Sequence, residues 1–184
     1  MKAERGRWRR AVPVAVAAAM IAIVGPACRI EERPPVRIVS PADSARSADS
    51  AAIVTVVTAY YNDFSARDWD AFASHFWPGA DITTVFPPPG DSVPRVVIMP
   101  VPDFVARAPE GPGSREVFEE RPEHIEVDVR GDIAVVWVRY RARFGDPGDV
   151  REWAGTDMFT LVRYDDVWKI VELAFTPDSS VPEI

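Results

Sequence analysis

A series of strand-like segments near the C-terminal end constrains this sequence most. In the first of them, apolar and polar residues alternate strictly, as in a strand with one buried face. The later segments are rich in Val, Trp, Tyr and Phe, and Gly, Asp and Pro separate them. Such a pattern predicts an antiparallel sheet, one face of which the upstream half of the chain must cover. The segments are His124–Arg130, Ile133–Phe144, Arg151–Tyr164 and Val167–Thr176.

The upstream half carries helical patterns that can provide this cover. Apolar residues from Ile53 to Phe64 recur at helical spacing, which predicts a helix that begins near Ala48–Ser50. Asp68 is the predicted N-cap of a second helix, Trp69–Phe76. Beyond it we expect short strands and a short helix. These are Asp81–Phe86, Val96–Met99 and, as the helix, Val101–Ala108.

Composition excludes several classes of function. The chain has 184 residues, 47% of them hydrophobic, which is enough for one domain with a core. The net charge is -7, but the first 27 residues hold five of the 21 basic and one of the 28 acidic side chains, so the remainder carries -11. An acidic body argues against binding to nucleic acid or to anionic lipid surfaces. With two His and one Cys, we expect no metal site, no intrachain disulfide and no cofactor.

The N-terminus has the layout of an export signal. Residues 1–10 are basic, Ala11–Val24 is apolar, and small residues precede Cys28, so residues 1–27 are a predicted signal peptide. An uncleaved anchor is the alternative. Cys28 stands where bacterial lipoproteins carry their lipid, although Gly25 and Pro26 depart from that motif. We therefore expect an exported, periplasmic or cell-envelope protein, either lipidated at Cys28 or free, with membrane contact only through that lipid.

Two further stretches lack the apolar periodicity of a folded domain. Residues 28–49 are rich in Pro, Ala, Ser and Asp, which predicts a disordered tether. Residues 179–184 form a short tail, so the predicted domain spans residues 50–178.

The order of these elements resembles the nuclear transport factor 2-like superfamily, which includes ketosteroid isomerase, scytalone dehydratase and the SnoaL-like cyclases. The resemblance is carried by YYNDFSARDWDAFASHFWPGA at Tyr60–Ala80 and by GTDMFTLVRYDDVWKIVELAFT at Gly155–Thr176. It implies an α+β fold, in which a cone-shaped, curved antiparallel sheet wraps around N-terminal helices and encloses an apolar cavity. The side chains expected in the core are Ile53, Val57, Tyr60, Phe72, Phe76, Val135, Trp137, Phe159, Leu161, Trp168 and Ile170.

The resemblance also implies roles for individual residues. Tyr60 falls at the oxyanion-hole tyrosine of ketosteroid isomerase, and Asp157 falls at its protonated aspartic acid, so both are candidate catalytic residues that we expect to lie close together. Either could instead be structural, as a core tyrosine or an acid at a strand rim. Thr84 occupies the position of the general base, and a threonine cannot abstract a carbon-bound proton at neutral pH.

Further candidates for the cavity wall come from strand parity and from family position. They are Thr84, Glu172, Trp137 and Phe159. Glu172 enters the cavity only if its strand face is the inner one, which parity alone leaves open. The alternating Arg139, Arg141 and Arg143 predict a solvated, salt-bridged outer face, and we expect His75 and His124 to be structural or exposed.

Three functions fit these observations. The first is an exported, non-catalytic domain that binds a small hydrophobic molecule or takes part in assembly. The second is a cofactor-free isomerase, dehydratase or cyclase acting on a hydrophobic carbonyl compound through Tyr60 and Asp157. The third is a homodimerisation module, since the outer face of the sheet often forms a dimer interface in this superfamily.

Overall fold

The computed structural model describes residues 41–86 and 93–178. The predicted signal peptide, Cys28, most of the predicted tether and the tail at 179–184 lie outside the described residues. Within the described part, no helix is long and apolar enough to span a bilayer.

The described residues form three α-helices and six β-strands. A 3₁₀ turn, Ala108–Glu110, follows the third helix. In chain order the elements are α1 Pro41–Ala66, α2 Trp69–Ser74, β1 Phe76–Phe86, β2 Arg95–Pro100, α3 Val101–Arg107, β3 Val117–Arg130, β4 Ile133–Asp146, β5 Asp149–Tyr164 and β6 Val167–Pro177.

The six strands form one curved, unclosed sheet in the order β2-β1-β6-β5-β4-β3. The meander from β3 to β6 is antiparallel throughout, as the alternating segments predict. β1 pairs with β6 in parallel, which is the one exception to the antiparallel prediction. It enters the sheet directly from α2, and the backbone N–H of Ile170 donates to the carbonyl of His75 at 3.0 Å where the two meet.

The first helix begins earlier than the periodic residues indicate. It starts at Pro41, so residues 41–49, which we expected to be extended chain, are helical. The physical reason is that Ala is the strongest helix former and Pro is well tolerated in a first helical turn. The second helix begins as predicted, because the Asp68 carboxylate accepts a hydrogen bond from the backbone N–H of Ala71 at 3.0 Å.

The core lies between α1 and the inner face of the sheet. Most of the apolar stripe of α1 is buried there, together with Phe72 of α2 and alternate residues of β4, β5 and β6. Of the side chains predicted for the core, Val135 is only half-buried and Trp137 is 50% exposed, so both predictions were wrong. The inward residues of β4 are those of the opposite parity, namely Ala134, Val136, Val138, Tyr140 and Ala142.

Candidate functional site

A pocket of about 570 Å³ lies between the inner face of the sheet, the C-terminal part of α1 and the segment that joins α3 to β3. Its volume and its mainly apolar lining are those of small-molecule sites. The wall is unusually aromatic. Its aromatic members include Phe64, Phe104, Phe118, Tyr140, Trp153 and Phe175.

Asp157 is the acid that sequence parity places on an otherwise apolar strand face, and the structure places it in the pocket wall. It lies on β5 between the buried Gly155 and Phe159, and only 3% of its surface is exposed. Burial raises the pKa of Asp157 to about 7, against the opposing effect of a hydrogen bond from Tyr61. The carboxyl group can therefore be either neutral or ionised near neutral pH, and can donate or accept a hydrogen bond.

The hydroxyl group that reaches Asp157 belongs to Tyr61 and not to Tyr60. Tyr61 donates a buried hydrogen bond to Oδ2 of Asp157. Tyr60 also lines the pocket, but its ring packs against Tyr61, Phe72 and Phe159, with centroids 5.0 to 5.2 Å apart. Successive helical residues project about 100° apart, so the two tyrosines meet different parts of the sheet. Tyr60 and Asp157 thus line the same pocket, but the hydrogen bond to Asp157 comes from the next residue of α1, Tyr61, which the sequence analysis did not single out.

Tyr140 closes the pocket on the β4 side. It pairs with Gly155 across β4 and β5, and its side chain lies over that glycine and forms a hydrogen bond with Trp153. A Cβ atom at position 155 would lie 2.3 Å from the Tyr140 hydroxyl group. Glycine is therefore required here for the close approach of a side chain. Burial and the charges of Glu120 and Asp157 raise the pKa of Tyr140.

Glu120 is a pocket residue that the sequence did not reveal. It lies on β3 opposite the buried Ala142 and lines the pocket. Burial and the nearby Asp157 raise the pKa of its carboxyl group well above the ordinary value. Its backbone is fixed by Ser65, whose hydroxyl group donates to the carbonyl of Glu120 at 2.8 Å and accepts from its N–H at 2.9 Å.

A β-bulge explains why parity gives no sign of Glu120. In the distal half of β3, Ile125, Val127 and Val129 pack against the core. Counting back from them in steps of two reaches Glu119 and not Glu120. The register shifts between Pro122 and His124, so the proximal half of the strand has the opposite parity and Glu120 faces inward.

The other predicted cavity residues are found in different places. Thr84 lines the pocket, and its hydroxyl group donates to the Phe175 carbonyl at 3.0 Å. Phe159 is fully buried in the core, next to the rings of Tyr60 and Tyr61. Trp137 and Glu172 are exposed and do not line this pocket.

A second bulge decides the direction of Glu172. Ile170 pairs with Leu161 whereas Glu172 pairs with Thr160, so Val171 is the additional residue. The inward series on β6 therefore passes from Ile170 to Leu173, and Glu172 lies on the outer face, where Thr83 donates to it at 3.4 Å. The prediction that Glu172 contributes to the cavity was wrong.

The rim of the pocket is held by one arginine. Arg67, with a φ of 59°, lies just after α1 and donates three hydrogen bonds to carbonyl groups of the segment that precedes β3. Its acceptors are the carbonyls of Pro112 at 3.2 Å, Arg115 at 2.7 Å and Glu116 at 3.2 Å. This segment contributes Gly111, Ser114 and Arg115 to the pocket wall, so Arg67 fixes the shape of the rim.

The two histidines lie outside the pocket. His75 forms an ion-pair contact with Asp63 at 2.6 Å, and the exposed His124 contacts Glu126 at 3.1 Å. Within the described residues, no group of three or more His, Cys, Asp or Glu side chains is arranged to hold a metal ion.

Comparison with known families identifies the domain. Residues 48–176 match the model of a family described as "Putative lumazine-binding". The chain belongs to this family. Together with the structural matches, this shows that the domain is nuclear transport factor 2-like, which confirms the predicted resemblance. No curated protein matches the sequence.

Several solved structures share the fold at low sequence identity. Rv3472 of Mycobacterium tuberculosis, whose function is unknown, has a TM-score of 0.62 and 14% identity, over 78% of this chain and 79% of that one. A nuclear transport factor 2-like superfamily protein from Salmonella enterica has a TM-score of 0.57 and 11% identity, over 74% and 96%. Hexachlorocyclohexane dehydrochlorinase LinA-type3 from Novosphingobium barchaimii has a TM-score of 0.57 and 18% identity, over 77% and 98%.

Proposed function

We propose that the domain binds a small, largely apolar molecule in the aromatic pocket. The observation that carries this proposal is the pocket itself, about 570 Å³ in volume and walled by aromatic side chains and two carboxyl groups. A family model described as lumazine-binding is in keeping with an aromatic ligand. Aromatic walls supply most of the binding free energy in such sites, and a few polar groups set the orientation.

Asp157 is the group that orients the proposed ligand. It lies in the pocket wall, and the buried Tyr61 behind it holds one carboxylate oxygen by a hydrogen bond. This hydrogen bond fixes the carboxyl group before a ligand arrives, which reduces the ordering cost of binding. With a pKa near 7, Asp157 can match either a hydroxyl or a carbonyl group on the ligand.

Titration with 2-naphthol tests this function, and Trp153 in the pocket wall provides the fluorescence signal. We expect saturable quenching, which a cavity-filling Thr84→Trp variant abolishes. Tyr61→Phe should weaken binding by roughly tenfold, because Asp157 loses its fixed orientation. Tyr60→Phe, which leaves the Tyr61–Asp157 hydrogen bond in place, should weaken it less. Equal binding by the wild type and Thr84→Trp would contradict a site in this pocket.

A second candidate function, cofactor-free proton transfer, is favoured by Glu120. Thr84 cannot act as a base, but Glu120 places a second carboxyl group in the same pocket as Asp157. Two carboxyl groups whose environments differ can divide the roles of acid and base. Deuterium exchange at the α-carbon of 2-tetralone, measured by NMR, tests this function. Exchange that Glu120→Gln abolishes would support catalysis; its absence in the wild type would leave binding alone.

The cellular context is also a proposal. We propose that the protein is exported and that its mature form begins at Cys28, with or without a lipid, on the evidence of the sequence before it. Intact-mass spectrometry of protein purified from a bacterial host distinguishes an acylated Cys28, a free Cys28 and an uncleaved Met1.

A homodimer through the outer face of the sheet is proposed on the basis of Trp137. This side chain is 50% exposed and lies beside Met158 and Ala174 in a shallow outer groove. Light scattering after size-exclusion chromatography should give twice the monomer mass, and Trp137→Glu should reduce it to the monomer. A monomeric wild type would contradict this proposal.

A further inference from the structure

The charges that line the pocket are unevenly distributed. Its inner wall holds Asp157 and Glu120, and a third acid, Glu110, lies at the rim. Among the described lining residues, Arg115 is the one basic side chain. It is largely exposed, and it pairs with Asp146 at 3.0 Å outside the pocket. The interior therefore carries acidic groups and no positive charge to balance them.

Glu120 is the group this imbalance affects most. Asp157 receives a hydrogen bond from Tyr61, whereas no donor among the described residues reaches the carboxyl group of Glu120. A partly buried carboxylate without a hydrogen-bonding or ionic partner is costly, so the pKa of the group rises and its neutral form is favoured until a positive charge approaches. The accessible part of Glu120 belongs to the pocket wall, so the missing partner can come from a bound molecule.

The aromatic wall favours the same kind of molecule. Phe118 precedes Glu120 by two residues on the same strand face, and Tyr140 and Phe144 flank its partner Ala142 on β4. Aromatic faces attract ammonium groups through the ring quadrupole, and most strongly where water is excluded. A carboxylate surrounded by rings is thus chemically complementary to a cation on an apolar body.

We propose that the pocket binds a hydrophobic amine in its ammonium form, with the Glu120 carboxylate as counterion and the surrounding rings as its cage. This inference rests on the proposed binding function and specifies the class of ligand. Among the titratable groups near Glu120, Asp157 is acidic, while Tyr60, Tyr61 and Tyr140 are neutral phenols whose pKa values are raised by burial. None of them can supply the positive charge in place of the ligand.

Proton release is a consequence that a neutral ligand would not show. Burial and the neighbouring Asp157 raise the pKa of Glu120, which favours its protonated form in the free protein. An ammonium ligand favours the carboxylate, so binding should expel about one proton and affinity should rise with pH below the pKa of the amine. A neutral isostere leaves Glu120 protonated and should bind with little pH dependence.

The experiment compares three probes of one shape by isothermal titration calorimetry: 2-(1-naphthyl)ethylamine, 2-(1-naphthyl)ethanol and 1-naphthaleneacetate. We expect the amine to bind at least about tenfold tighter than the alcohol and the carboxylate to bind weakest. Titrations in buffers of different ionisation enthalpy should show about one proton released per amine bound. This second measurement uses the wild type and does not depend on any variant.

Two adjacent variants complete the test. Glu120→Gln should remove most of the preference for the amine and leave binding of the alcohol nearly unchanged. Glu119→Gln, which alters an outer-face glutamate paired with Arg143, should keep the full preference. Equal affinity for alcohol and amine, or an amine preference that survives in Glu120→Gln, would overturn the inference but leave the binding function intact. Failure of all three probes to bind would overturn both.

Discussion

The charged side chains on the two faces of the β3–β5 region have different surroundings: those on the outer face are paired, and those on the inner face are not. On the outer face, each of the three alternating arginines of β4 has an acidic partner. Arg139 contacts Asp178 at 2.7 Å, Arg141 contacts Glu123 at 2.7 Å, and Arg143 contacts Glu152 at 3.0 Å and Glu119 at 3.3 Å. On the inner face, no cationic side chain among the described residues pairs with Asp157 or Glu120.

This difference separates the part of the sheet that serves solubility from the part that serves chemistry. Water screens the outer pairs, and each contributes little to stability. The inner acids are largely shielded from water, and their pKa values rise because no positive charge balances the loss of hydration; the Tyr61 hydrogen bond offsets this only in part for Asp157. A stable protein retains such costly groups mainly where a ligand or a reaction uses them. The inner face is therefore the candidate functional surface. Making the same substitution on both faces tests this difference.

The largest expected difference is between two tryptophans. Trp168 is 4% exposed and packs under the guanidinium group of Arg163, whereas Trp137 lies on the outer face and is 50% exposed. Trp168→Ala should lower the free energy of unfolding by about 3–5 kcal/mol, because it leaves a large cavity. Trp137→Ala should cost less than about 1 kcal/mol in the monomer. Urea titration of both variants at low protein concentration measures this, and similar losses would mean that the two faces are packed alike.

The same two faces show how far sequence alone could predict this structure. Element types and their order follow from periodicity and turn residues, so the four long strands, α2 and the family resemblance were predicted correctly. Asp157 became a candidate through the family resemblance, and it shares a strand face with the apolar Phe159 and Leu161. Periodicity, turn residues and apolar neighbours are local signals, so they can be read within a single element.

For the other strands, the face to which each side chain points depends on the pairing register, and the sequence predicts that register less reliably. Asp146 pairs with Asp149, so the turn is the two residues Pro147-Gly148 and not a five-residue loop. This register places Val138 opposite Asp157 and turns Trp137 outward. A loop longer by an odd number of residues would reverse the parity of β4.

Bulges hide the remaining site residues. A bulge near Glu123 turns Glu120 inward, and another at Val171 turns Glu172 outward. The first bulge directly follows Pro122, a residue type found in strands mainly at edges and bulges, whereas the second, at Val171, has no glycine or proline beside it. Both bulges depend on how neighbouring strands pair in the curved sheet, which cannot be predicted from the sequence of one strand.

The second prediction concerns pH and the inner carboxyl group of Asp157. Burial raises its pKa from about 4, the value in the unfolded chain, to about 7 in the folded protein. The folded state thus binds the proton more tightly, so stability should fall as pH rises from about 4 to 7, by up to about 4 kcal/mol. Asp157→Asn should flatten this slope in urea titrations at several pH values.

Asp178 on the outer face provides the control, with the opposite sign. Its hydrogen bond from Arg139 lowers its pKa, so its contribution is present above the unfolded pKa and is lost as pH falls. Asp178→Asn should therefore change stability at neutral pH and leave the slope between pH 4 and 7 in place. Parallel curves for the wild type and Asp157→Asn would show that the inner carboxyl group is not perturbed.

A smaller effect is expected from the glycine that supports the pocket wall. Gly155→Ala places a Cβ atom 2.3 Å from the Tyr140 hydroxyl group and must displace that side chain, at a cost of about 1–3 kcal/mol. Gly111→Ala at the rim meets nothing within 4 Å and should change stability by less than about 0.5 kcal/mol. Thermal unfolding of both variants measures the difference. Equal melting temperatures would mean that Tyr140 has room to move.

The smallest expected effect comes from two neighbouring glutamates that face opposite sides of β3. Glu119→Gln removes one of the two acidic partners of Arg143, and Glu152 remains, so the free energy of unfolding should change by less than about 1 kcal/mol at any pH. Glu120→Gln removes an unpartnered inner carboxyl group whose pKa is raised, so it should stabilise the protein more at pH 8 than at pH 4; above the unfolded pKa of about 4.5, the folded wild type must either ionise this group or hold a proton that the unfolded chain releases. Urea titration of both variants at these two pH values measures the contrast. If Glu119→Gln showed the pH-dependent gain and Glu120→Gln did not, the bulge would lie elsewhere and the inner and outer faces of β3 would be exchanged.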